Sequence, residues 1–312
     1  MPCVALLSDV LDMHYLEPAF RAHCPDIDLR LGADLGPLEQ IDAAVCWYPP
    51  HGLLASLPQL QLVQSLAAGV DHITADPQLP RALPLCRIVD PEMATGMKAY
   101  VCWAVIQHQR LMPAYLASAA MGAWQEQPMS PPGRHRVGIA GLGTLGLACA
   151  EALAAIGYAV RGWSRSAKAD LPAGVAGFHG DAQLDEFLSG CDTLVCLLPL
   201  TPQTQGFLSA DLFARLPRGA HLVNVGRGAH LVEADLLRAL DNGQLSAATL
   251  DAFTQEPLPA DHPFWGDPRI LVTPHIATRT DTSVIAQQTL HNLALVRRGE
   301  RPGTAVDLDR GY

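Results

Sequence analysis

The sequence predicts an α/β protein made of two doubly wound domains, and three observations support that reading. Its 312 residues exceed the usual size of a single domain. Strand-like and helix-like runs alternate along most of the chain, the pattern of parallel sheets covered by helices. One buried strand-like run, Arg134-His-Arg-Val-Gly-Ile-Ala140, passes straight into Gly141-Leu-Gly-Thr-Leu-Gly146 and then into a helix-like stretch, Leu147–Ile156.

In order, Val4–Leu7, Ile27–Leu31, Ala43–Trp47 and Gln61–Leu66 read as strands, and Asp12–His23 and Leu53–Leu57 as helices. Gln78–Pro84 is irregular, and Asp90-Pro91 caps a long helix expected to run to Met112. The proline-rich stretch Pro128–Gly133 leads to the glycine segment. Beyond it, strands are expected at Tyr158–Trp163, Thr193–Leu198, His221–Val225, Ala248–Phe253 and Ile270–Thr273. A final helix, Asp281–Arg298, carries Val284, Ile285, Leu290, Leu293, Ala294 and Val296 on its apolar positions.

Composition narrows the function classes. An apolar share of 49% against 17% charged residues belongs to a core-rich globular chain. A net charge of −10 argues against nucleic acid as a partner, because such binding draws on Lys and Arg neutralising phosphates. No apolar run approaches the ~18 residues of a membrane span. The opening Met1–Asp9 lacks a basic start and reads as a first strand, not a secretion signal. Eight scattered cysteines without a C-x-x-C pair read as buried hydrophobes in a reduced, cytoplasmic protein, with no metal site.

The glycine segment carries the first chemistry. Gly141 permits the tight turn, Gly143 lets the backbone approach a pyrophosphate, and Gly146 lets helix and strand pack closely. With Thr144 and Leu145 between them, these residues open a helix whose N-terminal N–H groups and dipole favour phosphates. That is the Rossmann signature of dinucleotide binding. The next strand ends in Ser164-Arg165-Ser166-Ala167-Lys168, where an NAD site would place an acid on the ribose 2′-hydroxyl. Arg165 stands there instead, nineteen residues past Gly146, and Asp170 comes only later. Arg165 with Ser164, Ser166 and Lys168 suits a 2′-phosphate, so NADP(H) is the expected cofactor and NAD(H) a possible one.

Three more strand ends each carry one reactive side chain. His221–Val225 runs into Gly226-Arg227-Gly228, Thr249–Phe253 into Thr254-Gln255-Glu256, and Ile270–Thr273 into Pro274-His275. Ligands of open parallel sheets sit outside the carboxyl ends of the strands, so Arg227, Glu256 and His275 are expected to converge there. The set suits reduction of a 2-oxo acid. A histidine protonates the developing alkoxide, a carboxylate fixes its tautomer, and a guanidinium grips the substrate carboxylate and polarises the carbonyl.

Gly141–Gly146, Asn224-Val-Gly-Arg-Gly228, Leu250-Asp-Ala-Phe-Thr-Gln-Glu-Pro257 and Thr273-Pro-His-Ile-Ala277, in that order, resemble the D-isomer-specific 2-hydroxyacid dehydrogenase family. The resemblance covers about residues 94–280. Trp163-Ser-Arg-Ser166 and Trp47-Tyr-Pro-Pro50 look most like its glyoxylate/hydroxypyruvate reductase branch. By that resemblance Arg227 binds substrate, His275 donates or accepts the proton, Glu256 is its partner and Asp251 holds the nicotinamide carboxamide. The loop Ala67-Ala-Gly-Val-Asp71 would offer backbone N–H groups, at Ala68 and Gly69, to the substrate carboxylate. Leu198, Pro199, Thr204, Val225 and Gly226 complete the expected cofactor set.

The implied architecture is a Rossmann cofactor domain, 94–281, and a flavodoxin-like substrate domain, 1–93 plus 282–312, with a cleft between them. Trp47, after a strand end of the substrate domain, is expected to face that cleft and favour small substrates, while His51 and His72 are read as structural. By the same resemblance, the long helix near Tyr100 and the arm to Trp124 help form a homodimer.

Two departures stand out. Gly226 stands where the family usually has a small non-glycine residue before the arginine and is expected to loosen the Arg227 loop; Arg279 follows the histidine motif where a polar or aromatic residue is commoner and is expected to alter the pocket entrance. A formate dehydrogenase would carry Gln at position 256, and a long phosphoglycerate dehydrogenase would continue past Tyr312. The alternative from another class is a nicotinamide-sensing binding protein, like the corepressors that share this fold and keep the same Arg, Glu and His.

Overall fold

The strands of the computed structural model, which describes residues 1–32 and 34–308, form two sheets whose neighbouring strands all run parallel. They belong to separate units. One is Met1–Pro91 with Thr280–Tyr312, the other Glu92–Arg279.

In the first unit, β1 (Cys3–Leu7), β2 (Asp28–Leu31), β3 (Ala43–Cys46), β4 (Leu62–Ser65) and β5 (Leu85–Cys86) lie in the order β2-β1-β3-β4-β5. This is the flavodoxin-like order, whose switch point lies between β1 and β3. Strands β1, β3 and β4 are buried along their whole length, which explains their nearly unbroken apolar sequences. Cys3, Ala5 and Leu7 share a core with Ala44, Cys46 and Val63. The helix Thr282–Arg297 packs on helix Glu17–His23 and on β4. Asn292 Nδ2 fastens it by donating to Gln64 Oε1 at 2.9 Å, so two buried amides satisfy one another.

Local chemistry shortens two expected helices. The run expected at Asp12–His23 begins as a 3-10 turn, His14–Leu16, and becomes α-helical only at Glu17, with Pro18 in the first turn where its missing N–H costs nothing. Leu53–Leu57 yields a single 3-10 turn, Leu54–Ser56, because Pro50 and Pro58 bracket it. The short strand β5 is an addition, falling just after the stretch read as irregular.

The second unit orders its strands β12-β11-β10-β9-β6-β7-β8. These are β6 (Arg136–Ala140), β7 (Ala159–Ser164), β8 (Val175–His179), β9 (Thr193–Cys196), β10 (Ala220–Asn224), β11 (Leu245–Leu250) and β12 (Ile270–Val272). The chain reverses its winding between β6 and β9, the switch point of a Rossmann sheet. Alternate residues feed opposite cores. Leu194, Cys196 and Leu222 join one, with Phe213 and Leu236; Val195, Val223 and Val137 join the other, with Val101 and Leu153.

The helix expected to run to Met112 is two helices, Pro91–Gln109 and Met112–Ala120. Leu111 takes a left-handed conformation (φ 56°) between them, and Pro113 sits in the first turn of the second, where it starts a helix but would break a continuing one. Strand β8 is also an addition. It is an edge strand with a glycine at its centre and a half-exposed face, so it lacks both an apolar run and a clean alternation.

Candidate active site

The glycine segment turns where β6 ends. Gly141 adopts φ 107°, and a Cβ there would fall 2.6 Å from the carbonyl oxygen of Leu197. A Cβ on Gly146 would collide with the Gly141 carbonyl, so this glycine is what lets the helix sit against the strand. The helix begins at Thr144, one turn earlier than expected, with Gly143 as its N-cap and no side chain capping it. A Cβ on Gly143 would meet nothing within 4 Å, so the N-terminus opens into free space where phosphates can approach.

Gly141 N–H donates to Trp163 O at 2.8 Å, which ties this turn to the end of β7. Ser164 is the last residue of β7; its hydroxyl donates to Ser166 O at 2.9 Å and shapes the following turn. Arg165, Ser166 and Lys168 are exposed on that turn. After β9, Leu198 and Pro199 lead to Thr204, whose hydroxyl donates to Pro199 O at 2.7 Å and rounds the loop.

The three reactive side chains follow β10, β11 and β12, which are neighbours in the sheet. His275 Nδ1 lies 2.8 Å from Glu256 Oε2, and Glu256 Oε1 accepts the Phe253 N–H at 2.9 Å. A carboxylate can only accept, so Nδ1 carries the donated proton and Nε2 is left for another partner. Burial raises the Glu256 carboxyl, but the bonds from His275 and Phe253 and the charges of His275 and Arg227 outweigh it, holding it below the usual carboxylate range. Each side chain of the pair is about one-third exposed, accessible without being fully hydrated.

The Arg227 turn is braced by two residues that the sequence reading left without a role. Buried Asn224 donates through Nδ2 to Arg227 O at 3.0 Å and accepts the Gly226 N–H at 3.2 Å. Buried His230 accepts the Arg227 N–H on Nδ1 at 3.0 Å, so its Nε2 carries the proton and reaches Pro199 O at 3.3 Å. That histidine links the Arg227 turn to the 198–204 loop. A Cβ on Gly226 would lie 2.9 Å from His230 Nδ1, so here the glycine makes room for a brace, contrary to the expected loosening. Gly228 presses its backbone against Phe253 and Thr254, drawing the Arg227 and Glu256 loops together. Val225 and Gly226 are buried in this turn, and Arg279 is exposed.

Asp251, at the end of β11, is 1% exposed. It accepts three hydrogen bonds, from Thr273 Oγ1 and the N–H groups of Ile276 and Ala277. A carboxylate offers about four acceptor positions, and three of them are taken here.

Trp47, Ala68 and Gly69 belong to the first unit. Trp47 and Tyr48 follow β3 at that sheet's switch point, with Trp47 N–H on Leu7 O (3.0 Å) and Asp9 N–H on Tyr48 O (2.9 Å). Trp47 is half-buried on buried His72, ring centroids 4.4 Å apart, and His72 Nε2 lies 3.2 Å from Cys46 O. Ala68 and Gly69 are half-buried after β4, where the Ser65 hydroxyl accepts from Ala67 N–H and donates to Gly69 O.

Comparison with known proteins agrees with this geometry. Residues 102–277 match the family model described as D-isomer specific 2-hydroxyacid dehydrogenase, NAD binding domain. A glyoxylate/hydroxypyruvate reductase A of Yersinia enterocolitica is 41% identical over 89% of this chain and 90% of its own. A D-isomer specific 2-hydroxyacid dehydrogenase from Xanthobacter autotrophicus, solved with NADPH and MES, superimposes with a TM-score of 0.92 at 39% identity, covering 100% of this chain and 99% of that one. An NADPH-dependent glyoxylate/hydroxypyruvate reductase from Sinorhizobium meliloti, solved with NADP and sulfate, gives 0.91 at 37% identity over the whole of both chains. The fold, the motif order and these similarities together place the chain in the D-isomer-specific 2-hydroxyacid dehydrogenase family, on its glyoxylate/hydroxypyruvate reductase branch.

Proposed function

We propose that the protein is an NADP(H)-preferring reductase that converts small 2-oxo acids, glyoxylate and hydroxypyruvate foremost, into 2-hydroxy acids. The Glu256–His275 pair beside Arg227, on adjacent strand ends, is the observation that carries this reading. The reductase names of similar proteins and their NADPH and NADP complexes support it.

Bound NADPH supplies the hydride that reduces the substrate carbonyl carbon. The open helix N-terminus at Gly143–Gly146 holds the pyrophosphate, Arg165 with Ser164, Ser166 and Lys168 binds the 2′-phosphate, and Leu198, Pro199, Thr204, Val225 and Gly226 line the remainder. Asp251 would hold the nicotinamide carboxamide.

Arg227 grips the substrate carboxylate and steadies negative charge on the carbonyl oxygen. His275, its Nδ1–H held by Glu256, delivers a proton from Nε2 to the forming alkoxide. Glu256, held below the usual carboxylate range, stays charged and fixes the orientation and tautomer of the imidazole. Ala68 and Gly69 contribute backbone N–H groups to the substrate, and Trp47 limits its size.

Two further readings accompany the activity. Exposed Leu116, Met121 and Trp124, the last 94% exposed, support a homodimer built on the helix Met112–Ala120 and its sequel. Eight free thiols support a reducing, cytoplasmic setting. Among the described residues no helix is long and apolar enough to cross a membrane.

The test is turnover of a panel of 2-oxo acids of rising size with NADPH. Glyoxylate and hydroxypyruvate should exceed branched and aromatic substrates. NADPH binding without turnover of any of them would contradict the reading and favour a cofactor sensor.

A further inference from the structure

Tyr100, on the helix Pro91–Gln109, is joined to the backbone around His275 by a chain of hydrogen bonds. Its Oη lies 2.5 Å from Thr273 Oγ1, and Thr273 Oγ1 donates to Asp251 Oδ1 at 2.6 Å. Asp251 then accepts Ile276 N–H on Oδ1 and Ala277 N–H on Oδ2, both at 2.8 Å. The direction of the chain is fixed by chemistry. A carboxylate only accepts, so the single Thr273 proton is committed to Asp251 and the Tyr100 phenol must donate to Thr273. Burial pushes that phenol up to about 12, with the Asp251 charge adding and the Thr273 bond opposing, so it stays a neutral donor.

What this chain holds is unusual. His275 has φ 50°, in the left-handed region that costs a side-chain-bearing residue of order 1 kcal/mol or more. Its N–H closes back on Thr273 O at 3.0 Å. Asp251 therefore fastens the chain on both sides of the strained residue, at Thr273 before it and at Ile276 and Ala277 after it. The helix carrying Tyr100 also holds the segment further on, where the Thr278 hydroxyl donates to Met93 O at 2.8 Å and a Cβ on Gly96 would fall 2.8 Å from Thr278 Oγ1.

We propose that Tyr100, acting through Thr273 and Asp251, is a positioning residue that sets the aim of the His275 imidazole for proton transfer. The proposal rests on the reading of His275 as the acid/base group. Because proton transfer depends steeply on geometry, loosening the chain lowers kcat far more than it changes NADPH affinity, which Asp251 shares in only through the carboxamide.

The experiment compares Tyr100→Phe, Thr273→Val and Thr273→Ser in the full-length enzyme, each also combined with His275→Ala. The readouts are kcat and KM for glyoxylate, the NADPH dissociation constant, and thermal unfolding. Thr273→Val should lower kcat roughly ten- to a hundredfold and Tyr100→Phe by about three- to tenfold, with NADPH affinity within about twofold. Thr273→Ser, which keeps the hydroxyl, should recover most of the loss. In the His275→Ala background neither change should add a further loss, because the histidine they position is gone.

Full kcat in Tyr100→Phe and Thr273→Val would overturn the proposal. So would a loss that persists unchanged without His275, or one that falls on NADPH affinity with kcat at saturating NADPH intact. Should Thr273→Val unfold, Tyr100→Phe against Thr273→Ser still decides it, since Phe keeps the ring and Ser keeps the bond. Inactive His275→Ala beside fully active Tyr100→Phe removes the positioning role alone; normal turnover by His275→Ala removes the acid/base reading itself.

Discussion

Glu256 and His275, nineteen residues apart in sequence, meet through a 2.8 Å contact between Oε2 and Nδ1 because their loops follow adjacent parallel strands. Glu256 also accepts the Phe253 N–H of its own loop, so the carboxylate is held from its own loop as well as by the histidine.

Glu256→Gln keeps that size but loses the charge. It should lower kcat/KM for glyoxylate reduction about ten- to a hundredfold, with NADPH affinity little changed. The wild-type carboxyl is held below its usual range, so its contribution is complete above that range and is lost only as pH falls through the lowered value. Steady-state rates of both forms across acid pH check this; equal rates would remove Glu256 from the mechanism.

Arg227→Lys retains charge and loses the two-pronged guanidinium. The expected result is a drop in kcat/KM of about tenfold or more, with unfolding temperature near that of the wild type. Wild-type kinetics in the lysine variant would assign Arg227 a structural place in its braced turn.

Arg165→Asp places a like charge against the 2′-phosphate. One charge-assisted bond is worth about 1.5–3 kcal/mol, so the kcat/KM ratio for NADPH over NADH should fall roughly 10- to 150-fold. In the wild type, rising salt should erode the preference, since Arg165 is exposed. A ratio unaffected by the substitution would make the Ser164–Lys168 turn an ordinary surface.

His108 and His221 stack with ring centroids 4.1 Å apart, at the far end of the sheet from the glycine turn. Burial lowers both, with nearby His135 adding to it, and His108 falls from 6.5 to about 4. A histidine held neutral stabilises the fold fully above its ordinary value, and that stability is lost as pH falls toward the lowered one. The unfolding free energy from urea titrations should therefore drop between about pH 6.5 and 4, by on the order of 3 kcal/mol for His108 alone. His108→Phe should flatten that dependence; an unchanged slope would refute it.

The sequence made the site's chemistry legible because that chemistry lies in short contiguous motifs. Glycines at 141, 143 and 146 have backbone reasons to be there, and Arg227, Glu256 and His275 each stand a few residues past a buried apolar strand. The braces were not legible, since they join residues distant in the chain. Tyr100 meets Thr273 across 173 positions, and nothing in the Tyr100 helix announces that contact. His230 lies only three residues past Arg227, and the signal for it is Gly226, the space its ring fills. Strand β8, at an edge with a central glycine, and the two-residue β5 were invisible to apolar periodicity, and the break at Leu111 was hinted at only by Pro113.

The central claim is that His275 moves the proton in reduction of a 2-oxo acid. Its most direct test is glyoxylate-dependent NADPH oxidation by wild type and His275→Ala, with NADPH binding measured alongside. The account predicts turnover by the wild type, a loss in kcat of about 10² or more in the variant, and near-equal NADPH dissociation constants. Near-normal turnover by His275→Ala would contradict it.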